Sequence, residues 1–206
     1  MESKWAEENL QTIRTLMERS AVYRRALAPI MLYAGALGVL AAAAGLLLRL
    51  DSPRIFIGFW LGVAMITVTG ALIIARRQSL REKEIFWSPP TRRVGQALLP
   101  PLLAGLVLGA LPAFTSGPDE LTMIVALVWI LLYGCALHAA GFFMPRGIKV
   151  FGCLFIASSC LLFYVFMAGW LHADFSAHWL MGFFFGGLHL AYGAYLYLTE
   201  RKNPAA

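Results

Sequence analysis

The sequence predicts an all-α fold, a polytopic bundle of six membrane-crossing helices, and three observations predict it. The first is composition. Of 206 residues, 60% are hydrophobic and only 14% charged, with a mean hydropathy of +0.71. Ordinary globular domains carry about 25% charged residues, and so short a chain cannot bury this much apolar material in a soluble core. The second is run length. Apolar runs fall at 26–48, 55–75, 94–114, 121–143, 149–171 and 178–198, each near the roughly 20 residues a helix needs to cross hydrocarbon. A barrel would instead show short segments of alternating polarity. The third is charge. The linkers and ends on one side hold 15 Lys and Arg, and the other side holds Arg49 and Arg54. The positive-inside rule then places both termini in the cytoplasm.

Each element has its own punctuation. The first run carries Pro29 near its start and a small-residue stripe of Ala34, Gly38 and Ala42, which lets helix backbones approach closely. "RLDSPR" separates it from the second. Before the third run stands "FWSPPTRR", residues 86–93. Ser88 is an expected N-cap and Pro89 an expected first helical residue, where its missing N–H costs nothing. Phe86 and Trp87 suit the interface, and Arg92 and Arg93 snorkel to headgroups. The sharper reading of the same stretch is a phosphorylation site at Ser88. Pro100 and Pro101 lie inside the third run, where they must bend it. "SGPDE", the tight "MPRGIK" and "HADFSAH" then separate the fourth, fifth and sixth runs.

Outside the bundle (residues 26–199), the chain has an N-terminal segment, 1–25, and a short cytoplasmic tail, 200–206. Trp5, Leu10, Ile13 and Met17 recur at helical spacing with charges between them. This predicts an amphipathic helix on the inner leaflet, or a docking surface at residues 5–25 for a cytoplasmic protein partner. The basic charge belongs to a membrane surface with anionic lipids, so nucleic acid is not needed to explain it.

Two internal matches suggest three related helical hairpins. "RRALAPIMLYAGALGVL" (24–40) resembles "RR…ALLPPLLAGLVLGAL" (92–111), and "YGCALHAAGFF" (133–143) resembles "FGGLHLAYGAY" (185–195). Repeats in parallel orientation occur among transporters.

No Asp, Glu, Lys or Arg lies well inside a run, which argues against proton-coupled carriers and ion pumps. His138 and His189 remain, each on a stripe of small residues: Gly134 and Gly141 for one, Gly182, Gly186 and Gly193 for the other. The residues leave three readings open. The histidines pack and hydrogen-bond within the bundle. They bind haem b between them as axial ligands, although their depths differ by roughly 5 Å at the helical rise. Or a soft metal sits on Cys135, His138 and Cys153, a donor set that suits copper or zinc. Cys135, Cys153 and Cys160 also read simply as buried hydrophobes. No catalytic constellation appears: no Gly-x-Ser-x-Gly, His-Glu-x-x-His, phosphate loop or carboxylate pair.

"GCALHAAGFFMPRG" (134–147), "FWSPPTRR" and "GLHLAYGAYLYLTERK" together make the chain similar to a group of uncharacterised bacterial multi-pass membrane proteins. The resemblance implies a bacterial inner-membrane location. The expected function is a small transport or sensing module without enzymatic activity, in contact with the lipid bilayer and with small-residue stripes that also suit a homo-oligomer. The alternative is a membrane redox protein holding haem or metal at His138 and His189.

Overall fold

A computed structural model describes residues 27–81, 86–115, 120–144, 146–170 and 175–202. The amphipathic segment expected at 5–25 lies outside the described residues. Everything regular among them is helical. The elements are α1 (Leu27–Leu47), α2 (Pro53–Arg81), α3 (Pro89–Ala110) with a closing 3-10 turn (Leu111–Phe114), α4 (Leu121–Ala140) and α5 (Arg146–Met167). A last rod follows, made of α6 (Ala177–Met181), a π-helical turn (Gly182–Gly187) and α7 (Leu188–Lys202). Five helices are long and apolar enough to cross a membrane, and the last rod is divided by its π turn.

α3 begins at Pro89, as the sequence predicts. α2 runs past its expected end to Arg81, because hydropathy sees only the apolar stretch of a helix. Good helix formers such as Arg and Gln carry the rod on into polar surroundings. Ser88 does take the N-cap position, with φ −71° and ψ 159°, but its side chain caps no backbone N–H. Pro89 and Pro90 have none to offer, and Ser88 Oγ pairs with Thr91 Oγ1 at 2.9 Å instead. Pro100 and Pro101 remain inside one continuous helix, where they cannot donate to the carbonyls of Gln96 and Ala97.

Helix ends are closed locally. After α1, Arg49 adopts a left-handed φ of 50° and Leu50 N–H reaches back to the Gly45 carbonyl at 3.0 Å. After α5, Gly169 does the same at φ 72°, with Trp170 N–H on the Val165 carbonyl at 3.1 Å. Both are the left-handed cap that satisfies the last carbonyls of a helix.

Glycines set the closest contacts. A Cβ at Gly38 of α1 would overlap the Phe185 carbonyl, and one at Gly186 would stand 2.8 Å from Val39 N. Gly35 faces Leu190, and Gly193 faces Leu32 in the same way. The small-residue stripes of the first and last runs therefore pack against each other inside one chain. α4 and α5 form a second tight pair. A Cβ at Gly152 would crowd His138 N and the Gly134 carbonyl at 2.5 and 2.8 Å, and Ser159 Oγ donates to the Leu127 carbonyl at 2.8 Å. α2 and α3 differ. Among the described residues, a Cβ at Gly58, Gly62 or Gly95 would meet nothing within 4 Å, and Met65, Ile66, Leu72, Leu99, Leu103 and Val107 are exposed. An exterior this apolar is suited to lipid.

Candidate ligand cavity

A cavity of about 310 Å³ lies among these helices, walled by Ala64 and Val68 of α2, Pro101 and Leu106 of α3, Trp129 and Tyr133 of α4, and Phe185 and His189 of the last rod. Gly38 of α1 closes it from behind. Its volume falls at the lower end of the range for small-molecule sites. Val68, Leu102 and Leu106 on its rim are 55%, 40% and 47% exposed; Val68 and Leu102 lie in mid-helix, and Leu106 one turn further along α3. The mouth thus opens sideways between α2 and α3. The prolines help here, since Pro101 forms part of the wall.

The floor is polar. His189 is 2% exposed. Its Nδ1 lies 2.9 Å from the Phe184 carbonyl and its Nε2 lies 2.8 Å from Tyr133 Oη. A carbonyl only accepts, so Nδ1 carries the proton. Among the described residues no carboxylate lines the cavity to balance an imidazolium, and an unpaired charge in hydrocarbon is costly. Nε2 is therefore an acceptor, and Tyr133 O–H donates to it. The acceptor carbonyl comes from the π turn, five residues before the histidine. Such turns recur at functional sites. Phe151, Phe155 and Phe185 surround the imidazole, with ring centroids 5.3, 5.7 and 6.2 Å away.

The structure does not give His138 and His189 a common partner. His138 is half-buried, and its Nδ1 lies 3.2 Å from Cys153 Sγ. Phe142 meets its ring edge-on at 5.5 Å. An axial iron bond to His189 Nε2 would have to displace Tyr133. Of the three residues considered for a soft metal, His138 and Cys153 come together. Among the described residues no three His, Cys, Asp or Glu gather as a metal group.

A third histidine, His178, stands at the end of the stretch that reads as the fifth linker. His178 is fully buried at the start of the last rod, where Ser176 caps the helix by accepting from His178 N–H at 3.3 Å. Trp60 Nε1–H donates to its Nδ1 at 3.1 Å, and its Nε2–H donates to the Leu50 carbonyl at 3.2 Å. Gly45 leaves room for the ring, while Phe56 and Phe59 flank it. Ser176 Oγ also donates to Asp51 Oδ1 at 3.1 Å, tying the loop after α1 to the last rod. The signal available in the sequence was Ser176, a helix N-cap two residues before the histidine. Tyr133, Trp60 and Trp129 carried no signal, since aromatic residues in apolar runs equally suit lipid.

Comparison with protein-family models, with curated proteins and with solved structures finds no match for this chain.

Proposed function

We propose that the chain is an integral membrane protein that binds a small lipophilic molecule in the cavity between α2 and α3, as a transport or sensing module. One observation carries the reading: a largely apolar cavity, its few polar side chains already hydrogen-bonded within the protein, entered sideways between α2 and α3. A water-soluble ligand gains little from such walls, whereas a molecule already dissolved in the bilayer reaches the mouth without leaving hydrocarbon. The last rod serves as the sixth crossing. The 15 to 2 split of Lys and Arg supports cytoplasmic termini, and the resemblance to bacterial multi-pass proteins supports the inner membrane.

The test is extraction. Protein purified in lipid discs should carry a bound lipophilic molecule that appears in its native mass spectrum. Ala64→Trp, which fills the cavity from α2, should remove that species while the protein stays folded. An identical spectrum from the filled variant sinks the reading. Reporter fusions test the orientation separately: after Arg77 and Lys149 they should read cytoplasmic, and near Gly117 and Ala173 periplasmic. A periplasmic signal after Arg77 would overturn it.

A further inference from the structure

The chemistry of the ligand follows from the hydrogens on the cavity wall. Among the described residues, five lining side chains carry a polar hydrogen, and each has a protein acceptor. Trp60 Nε1–H goes to His178 Nδ1 at 3.1 Å, Trp129 Nε1–H to the Gly105 carbonyl at 2.8 Å, and Thr67 O–H to the Val63 carbonyl at 2.8 Å. His189 Nδ1–H goes to the Phe184 carbonyl, and Tyr133 O–H to His189 Nε2. The order of that last relay is forced. The Phe184 carbonyl cannot donate, so the protons must run from Tyr133 to His189 to Phe184. The relay ends on the Tyr133 oxygen, which has given away its hydrogen and keeps lone pairs to accept with.

We infer that the cavity selects a lipid-phase molecule bearing a hydroxyl, whose hydrogen it takes on Tyr133 Oη. The inference rests on the cavity being a ligand site. A ketone or ether of the same shape finds no uncommitted side-chain donor among the described residues of the wall. Its oxygen is buried without a partner, and sites of this kind discriminate through that penalty. At about 310 Å³ the cavity holds a ring or a short chain, with any longer tail leaving between α2 and α3. It is too small for a whole phospholipid.

The probes are a vicinal-dibromo decanol and the isomeric vicinal-dibromo nonyl methyl ether, which match in length and heavy-atom count and carry bromine, a quencher of indole fluorescence. Each is titrated into the full-length protein in lipid discs, and the saturable quenching that Trp129→Phe removes is taken as cavity binding. The alcohol should bind roughly fivefold more tightly than the ether, the equivalent of one net hydrogen bond. Tyr133→Phe should bring the two together while still binding the ether, which also shows that the variant is folded. Equal affinities in the unsubstituted protein overturn the hydroxyl inference and leave the cavity reading standing. No saturable quenching by either compound overturns the cavity reading and this inference with it.

Discussion

His178 and His189 are both buried in the last rod, and each spends one ring hydrogen on a backbone carbonyl, yet they hold it on opposite nitrogens. At His178 the carbonyl of Leu50 takes Nε2–H, so Nδ1 receives the Trp60 indole. Indole nitrogen donates only, and the network stops there. At His189 the carbonyl of Phe184 takes Nδ1–H, so Nε2 receives Tyr133, and a phenol that donates can still accept. The first cluster encloses its histidine in aromatic rings beside Gly45 and meets the cavity through the Trp60 indole, whose nitrogen has no lone pair to offer. The second meets the cavity through a phenol that can still accept. One amino acid thus closes one end of the bundle and equips its middle, and the group on its far side decides which.

The strongest way to break this comparison is to remove the seal. His178→Ala strands the Trp60 indole and the Leu50 carbonyl and leaves a ring-sized void, and should cost about 2–4 kcal/mol, read as the largest fall in Tm in detergent. If His178→Ala melts with the parent protein, the end cluster contributes no stability and the contrast collapses.

Glycine to alanine changes sharpen the contrast. At Gly45 a Cβ would collide with the His178 ring, so Gly45→Ala should cost about 1–3 kcal/mol by overpacking. At Gly105, on the cavity side, the nearest atoms to an added Cβ stand 3.7 Å away, on Leu132 and Trp129. Gly105→Ala should therefore stay within about 0.5 kcal/mol of the parent. Equal melting shifts at the two positions would deny that one region is tight and the other loose.

Effects smaller than those at His178 and Gly45 are expected at the open relay and at His138. Tyr133→Phe leaves His189 Nε2 without its donor and should cost about 0.6–1.7 kcal/mol, the range of membrane hydrogen bonds, while changing ligand preference far more than stability. His138→Ala should also be small, at most about 0.6 kcal/mol, because His138 is half-buried and its hydrogen-bond partner is a weakly bonding thiol. Combined with His189→Ala, its effect should add, since the two share no partner. Marked coupling in the double variant would restore a joint site.

The fold was legible because a bilayer imposes long apolar runs, and five of the six appear as helices long and apolar enough to span. The glycine stripes were legible too. Gly38 and Gly186 were identified as packing residues, and the structure names their partners, Phe185 and Val39. The site was legible only in part. His189 stood out as a polar residue in an apolar run, but its partner Tyr133 lies on another helix, and only tertiary packing brings the two together. Matching the sequence around His138 and His189 suggested equivalent roles, yet one ring is half-buried against Cys153 and the other enclosed by phenylalanines. His178 escaped because a histidine between a short linker and a helix start reads as interfacial. The π turn left no sequence signal beyond its glycines.

The central claim is that the Tyr133–His189 cavity opens to lipid between α2 and α3, and Trp129 on its wall reports on this most directly. The protein is placed in bilayers of phospholipid brominated at mid-chain, and quenching is compared with that of Trp129→Phe and of the same pair carrying Ala64→Phe. The expected result is that Trp129 contributes a distinct share of the quenching, and that filling the cavity with Ala64→Phe removes most of that share. The contrary result, a Trp129 that mid-chain bromine does not quench, would mean that the cavity is closed to the bilayer.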